Sequence, residues 1–180
     1  MNNLINLQIR HSNFDPKTGL LMPAPWKDSN TLLKQFIQSL LIKFSGVSQY
    51  MKEWDGTSPS VTQTGYDMDL TANTQTYYGI LIGTGINAVT REDCKLQTQV
   101  ITNIIHGAVS FELLNPSADD WHMLIHRAFT NNTGAPVDVK EVGLISIFPG
   151  NPYLFLLDRT LYAFTIGISE TKTVTYKIQI

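Results

Sequence analysis

The sequence predicts a mainly β protein: an antiparallel β-sandwich, jelly-roll-like, with one N-terminal helix and an extended N-terminal arm. Three observations predict it. From about Val61 onward, apolar residues recur with a period of two in short runs separated by turn clusters. Ahead of these, a single segment carries helical spacing. Ahead of that again, prolines and a turn cluster interrupt the first 29 residues. The expected boundaries are an arm over 1–29, a helix over 30–46 packed on the sandwich, and the sandwich itself over 47–180.

The arm contains the turn cluster Phe14-Asp15-Pro16-Lys17-Thr18-Gly19, and Pro23 and Pro25 forbid a helix through Leu21 to Trp26. Extended at about 3.3 Å per residue it reaches roughly 90–100 Å, enough to touch a neighbouring subunit. Its apolar side chains Leu4, Ile5, Leu7, Ile9, Phe14, Leu20, Leu21 and Trp26 are more than a free tail tolerates. They are expected to bind a partner, or else to wrap the arm's own domain. The helix follows. Asp28, Ser29 and Asn30 offer N-caps and Gly46 a stop. Leu32, Leu33, Phe36, Ile37, Leu40, Leu41 and Phe44 form one apolar face, with Lys34, Gln35, Gln38 and Lys43 opposite.

The strands are expected in the Val61–Leu70 segment and over 78–82, 96–101, 108–114, 121–130, 137–148, 153–157 and 171–180. Asn115-Pro116, Asn131-Asn132-Thr133-Gly134 and Pro149-Gly150-Asn151-Pro152 provide the turns.

Composition narrows the function classes. Charged residues make up 16% of the chain, against roughly 25% in an average domain, while 43% are hydrophobic. Such a surface suits a protein that lies against other proteins. A net charge of −2 with scattered Lys and Arg argues against nucleic acid and anionic membranes. Cys94 is the sole cysteine, so no internal disulfide or thiolate cluster is expected. Met1 is followed by polar Asn2 and Asn3 without a basic region and apolar run. Synthesis and assembly in a cytoplasm is therefore the expectation.

The candidate chemistry is sparse. Gly83-Thr84-Gly85 follows a strand but lacks the third glycine, the lysine and the acidic partner of a phosphate loop. His122 and His126 lie four apart on an expected strand, about 13 Å from each other, too far to share a metal ion. Asp67 with Asp69, and Asp119 with Asp120, lack calcium-loop spacing and are expected to form turns. No Gly-x-Ser-x-Gly elbow occurs, and Cys94 has no evident histidine. Glu112, Glu141 and Asp158 offer the acids of a glycosidase, as almost any sandwich would. No catalytic residue, cofactor or metal is expected. Glu141 is instead expected to form a buried structural ion pair with Arg127 or Arg159, because a charged residue in an apolar strand marks a paired ion.

The C-terminal half resembles a recurrent pattern in small β-rich structural proteins of tailed-phage virions. The matching pieces are Gly79-Ile80-Leu81-Ile82-Gly83-Thr84-Gly85, Asp93-Cys94-Lys95-Leu96, Ile105-His106-Gly107 and Arg127-Ala128-Phe129-Thr130-Asn131-Asn132-Thr133-Gly134. They continue through Val139-Lys140-Glu141-Val142-Gly143-Leu144, Leu156-Leu157-Asp158-Arg159 and Thr173-Val174-Thr175-Tyr176-Lys177-Ile178. The resemblance covers about residues 78–180. It implies a non-enzymatic structural or accessory virion protein, located in the particle. Its partners would be other virion proteins in capsid or tail and further copies of itself. The alternative is a receptor- or carbohydrate-binding module at the particle surface, using aromatics such as Tyr77, Tyr78, Trp121 or Tyr153.

Overall fold

The computed structural model describes residues 6–15, 17–29, 34–45, 47–62, 68–117, 120–148 and 153–179. Among them the early strands are β1 (Asn6–Phe14), β2 (Leu21–Pro23) and β3 (Lys27–Asp28), followed by helix α1 (Lys34–Ser45). Two short strands come next, β4 (Gln49–Tyr50) and β5 (Ser60–Val61), then β6 (Gly79–Gly83). The long strands close the chain: β7 (Ile104–Ser117), β8 (Asp120–Asn131), β9 (Val137–Ile147), β10 (Leu154–Ile166) and β11 (Thr171–Gln179).

The larger sheet runs β2-β1-β11-β8-β7, with β3 also on β1; a second sheet runs β10-β9-β6, and β4 pairs with β5. Every pairing is antiparallel. The fold is thus mainly β with one helix among the described residues, as the alternating pattern predicts. Both large sheets feed one apolar cluster, the first with Ile9, Ile125 and Tyr176, the second with Ile82, Leu144 and Phe155. A sandwich would produce such a cluster. Two hairpins, β7–β8 and β9–β10, each lie within one sheet, and this order does not by itself make a jelly roll.

The second sheet is buried on both faces. Ile80 and Ile82 enter the shared cluster, while Leu81 between them joins Ile145, Leu154, Leu156 and Leu96 on the far side. A strand with no wet face has no reason to alternate. That is why β6 and the middle of β9 read as continuous apolar runs.

Several expectations are corrected. Residues 6–28 are not a free arm. Leu7 and Ile9 alternate with Gln8 and Arg10, and β1 pairs with β11 from Asn6↔Gln179 to Asn13↔Lys172. Leu7 and Ile9 are therefore buried in the chain's own core. Trp26 is half-buried, with the Arg10 guanidinium 4.1 Å and the Lys177 ammonium 5.0 Å from its ring centre. Leu4 and Ile5 lie outside the described residues, as do Asn30, Leu32, Leu33 and Gly46 at the helix ends, Asp67, Asp119 and the 149–152 turn.

The helix faces the core with Gln35, Ser39 and Ile42, leaving Ile37 and Leu41 exposed. Polar contacts explain the rotation. The Gln35 amide donates to the carbonyls of Lys52 (3.4 Å) and Asp93 (3.2 Å), and Ser39 Oγ to that of Gln35 (2.7 Å). Residues 96–101 form only an isolated bridge, Gly83↔Gln99. Asn131–Gly134 is not a hairpin turn, because β8 and β9 belong to different sheets. It is a crossing held by the Asn131 amide on the carbonyls of Ala135 (2.9 Å) and Ile166 (3.0 Å).

Candidate functional site

Glu141 lies on β9, on the face of the second sheet that also carries Ile145, under the loop from Thr84 to Gln99. Its carboxylate is fully exchanged from water into protein partners. Gly85 N–H (3.1 Å) and Thr98 N–H (2.8 Å) donate to Oε1, Gln97 N–H (3.2 Å) to Oε2, and Arg159 Nε (2.6 Å) to Oε2. A Cβ on Gly83 or Gly85 would sit 2.6 or 2.5 Å from Glu141 Oε1. The Gly-Thr-Gly segment therefore wraps an internal carboxylate closely, which only glycine allows there. Gly143 is crowded likewise: a Cβ would lie 2.7 Å from Leu96 Cδ2.

Arg159 on β10 extends this centre outward. Its Nη1 donates to Asp93 Oδ2 (2.8 Å) and its Nη2 to the Asn87 carbonyl (3.1 Å). Burial works against the guanidinium, but Glu141 and Asp93 outweigh it and hold its pKa above the ordinary arginine value. At Asp93, burial pulls the other way from Thr90 and Arg159, and the hydrogen bonds win, leaving its pKa lowered. Of the residues expected in an ion pair, Arg159 and Glu141 meet. Arg127 does not join them.

Arg127 is buried on β8 and donates through Nε to the Gly107 carbonyl (2.9 Å) and through Nη1 to those of Tyr78 (2.8 Å) and Ile80 (3.0 Å). Its Nη2 reaches Gln75 O. It is a cation satisfied by carbonyl dipoles, tying the first sheet to the edge of the second. Burial pushes its pKa down to about 10, with Tyr78 opposing.

Asp158 on β10 is the converse. It is fully buried and meets three hydroxyls: Ser29 Oγ (2.5 Å), Tyr176 Oη (2.8 Å) and Thr160 Oγ1 (3.1 Å). Burial raises its pKa to about 6 against the hydrogen bonds that favour the charged form. His106 on β7 is buried with no close hydrogen-bond partner for either ring nitrogen among the described residues, and burial, reinforced by Arg127, lowers its pKa to about 4 against the weaker pull of the Val100 backbone.

The remaining candidates stay apart. His126 shares a hydrogen bond with Thr175 Oγ1 (2.9 Å) and lies 3.5 Å from Glu112. Asp69 Oδ1 accepts from Thr71 N–H (2.7 Å), a turn contact. Glu112, Glu141 and Asp158 each have separate partners, so the acids are not brought together as a pair. Cys94 borders a shallow depression of about 390 Å³ with Lys52, Asp93, Lys95 and Arg159. Arg159 is turned inward there, each of its three nitrogens donating to Glu141, Asp93 or the Asn87 carbonyl. No group of three metal-ligating side chains occurs among the described residues, and no helix there is long and apolar enough to cross a membrane. Tyr78 is buried and so cannot stack on a sugar; Tyr77 and Trp121 are exposed, and Tyr153 packs beside Phe155.

Among the described residues, exposed apolar side chains occur at several places, Ile37 and Leu41 on the helix among them, and two of these places gather several such side chains on the larger sheet. One is the β1–β2 turn, where Phe14, Leu20, Leu21 and Met22 are 54–65% exposed. The other is the far end of the β7–β8 hairpin. Comparison with protein-family models, with curated proteins and with solved structures finds no match.

Proposed function

We propose that this chain is a non-enzymatic structural or accessory subunit of a phage particle, whose work is to bind neighbouring virion proteins in the capsid or tail. The observation that carries the reading is the β1–β2 turn. Phe14 pairs with Leu21 across the strands, with Leu20 and Met22 beside them, and all four present most of their side chains to solvent. An apolar cluster on a turn costs solubility unless a partner covers it. Three of the four belong to the residues expected to bind a partner, while Leu7 and Ile9 serve the core instead. The buried ionic centres fit this role as internal ties that stiffen the subunit. The resemblance over residues 78–180 supplies the particle context.

The test is to purify particles from a lysate containing this chain and to assay them for it, with wild type beside a Phe14→Ser, Leu21→Ser double variant. The reading expects wild-type protein at fixed stoichiometry and at least tenfold less of the variant, each folding with the same unfolding midpoint. Particles free of the chain would overturn the particle assignment. Equal incorporation of the variant would remove the docking role from the turn.

A further inference from the structure

We infer that the end of the β7–β8 hairpin is a contact between two copies of this chain, packed face to face about a two-fold axis. The inference stands on its own geometry and survives even if the particle assignment fails, because self-association needs no other protein.

In the first sheet, residues of adjacent strands form rows across the face that meets the core. One row runs Ile9, Tyr176, Ile125, Phe111 and the next Leu7, Ile178, Met123, Leu113. Along the second row, exposure climbs from 4% at Leu7 to 38% at Met123 and 67% at Leu113. The second sheet reaches the β7–β8 hairpin through β6, where Arg127 donates to the Tyr78 and Ile80 carbonyls and Ile104 and Phe129 are buried, but the end of the hairpin around Leu113 and Met123 stays uncovered. Trp121, two residues before Met123, extends the open stripe. Phe111, Leu113, Trp121 and Met123 thus share one face that continues the core beyond its cover.

The choice of a second copy rests on charge and on area. The stripe carries no charged side chain. Glu112 and His126 occupy the opposite face together with His122 and Leu114, and Arg127, on the same side as the stripe, is buried against the second sheet with its donors on carbonyls. A charge-free stripe meets itself without burying like charges, which is the requirement of an isologous contact. At roughly 150–250 Å² for a large side chain, the exposed parts of these residues amount to about 400 Å² per copy. Two copies with their polar rim reach about 1,000 Å², the lower bound for a specific interface. A weak dimer is the expected species, with a dissociation constant of about 1–100 μM.

The test uses the full chain in sedimentation across that concentration range. Wild type is expected to dimerise. Leu113→Lys and Met123→Lys are each expected to raise the dissociation constant at least tenfold while unfolding at the wild-type midpoint. Leu114→Lys, on the charged face, is expected to leave it unchanged. Amide exchange provides a second reading free of any variant: protection of residues 110–114 and 121–125 should rise with concentration. A wild type that stays monomeric to about 100 μM overturns the inference. So does a dimer that survives both lysine variants, or a hairpin that gains protection only on addition of another protein.

Discussion

Two buried carboxylates lie on neighbouring strands of one sheet, and their surroundings are opposite. Glu141 on β9 meets a guanidinium and three backbone N–H groups. Asp158 on β10 meets hydroxyls alone. The first carries its charge into the interior because the charge is matched there. The second is held with its pKa raised to about 6, so that folding works against its ionisation. Burial alone therefore does not decide what an acid contributes; the partners it finds do.

The comparison breaks most visibly at Glu141. Replacing Glu141 with Ala leaves Arg159 buried with only Asp93 and one carbonyl, and three N–H groups lose their acceptor. Urea unfolding should show a loss of about 3–5 kcal/mol. A loss under about 1 kcal/mol would mean that the centre is not what holds the loop to the sheet.

At Asp158 the sign reverses. Its folded pKa exceeds the ordinary 3.8, so its contribution is fully present below pH 3.8 and is lost as pH rises through about 6. The Asp158→Asn variant should therefore be more stable than wild type by about 1–3 kcal/mol at pH 7.5 and gain little at pH 3.5. His106 has the opposite linkage. With its folded pKa lowered to about 4 from 6.5, its contribution is present above pH 6.5 and is lost as pH falls toward 4. In wild type the two slopes largely offset each other between pH 4 and 6. Removing Asp158 should expose the acid-side loss of about 2–3 kcal/mol that belongs to His106, measurable as unfolding free energy against pH. A flat curve in that variant would deny His106 its role.

Smaller again is Gly85→Ala, which forces a Cβ to within 2.5 Å of Gln97 Cβ and Glu141 Oε1. A loss of about 1–3 kcal/mol is expected, and in the Glu141→Ala background it should shrink, since part of the obstruction is gone. Phe14→Ser, on the exposed turn, should change stability by less than about 0.5 kcal/mol.

The legible parts of the molecule were those with one dominant cause. The hairpin β7–β8 and the last strand announce themselves by alternation, because each has one dry face. Charged Glu141 inside an apolar strand likewise pointed to a buried pair with an arginine. The partner set was not legible, since Gly85, Gln97 and Thr98 contribute backbone N–H groups that any residue possesses. Strand β1 was obscured by the turn and prolines that follow it, although Leu7 and Ile9 do alternate with polar residues. Strand β10 extends to Ile166, past the polar run Asp158-Arg159-Thr160 that looked like an end; all three are buried because each finds partners. The rotation of the helix came from Gln35, whose hydrogen bonds with the distant carbonyls of Lys52 and Asp93 leave no trace in spacing, while Ser39 is buried beside it with its hydroxyl on the Gln35 carbonyl one turn back.

Strand β11 lies between β1 and β8, so in the sheet the first strand is joined to the β7–β8 hairpin at the far edge through it. During synthesis β1 emerges early and then waits, with Leu7 and Ile9 uncovered, for a partner more than one hundred and fifty residues downstream. Closing so long a loop is slow. The nascent chain must keep a sticky strand from other strands until its own mate arrives, and the ribosome-bound intermediate is where this fold is most open to misassembly and to chaperones.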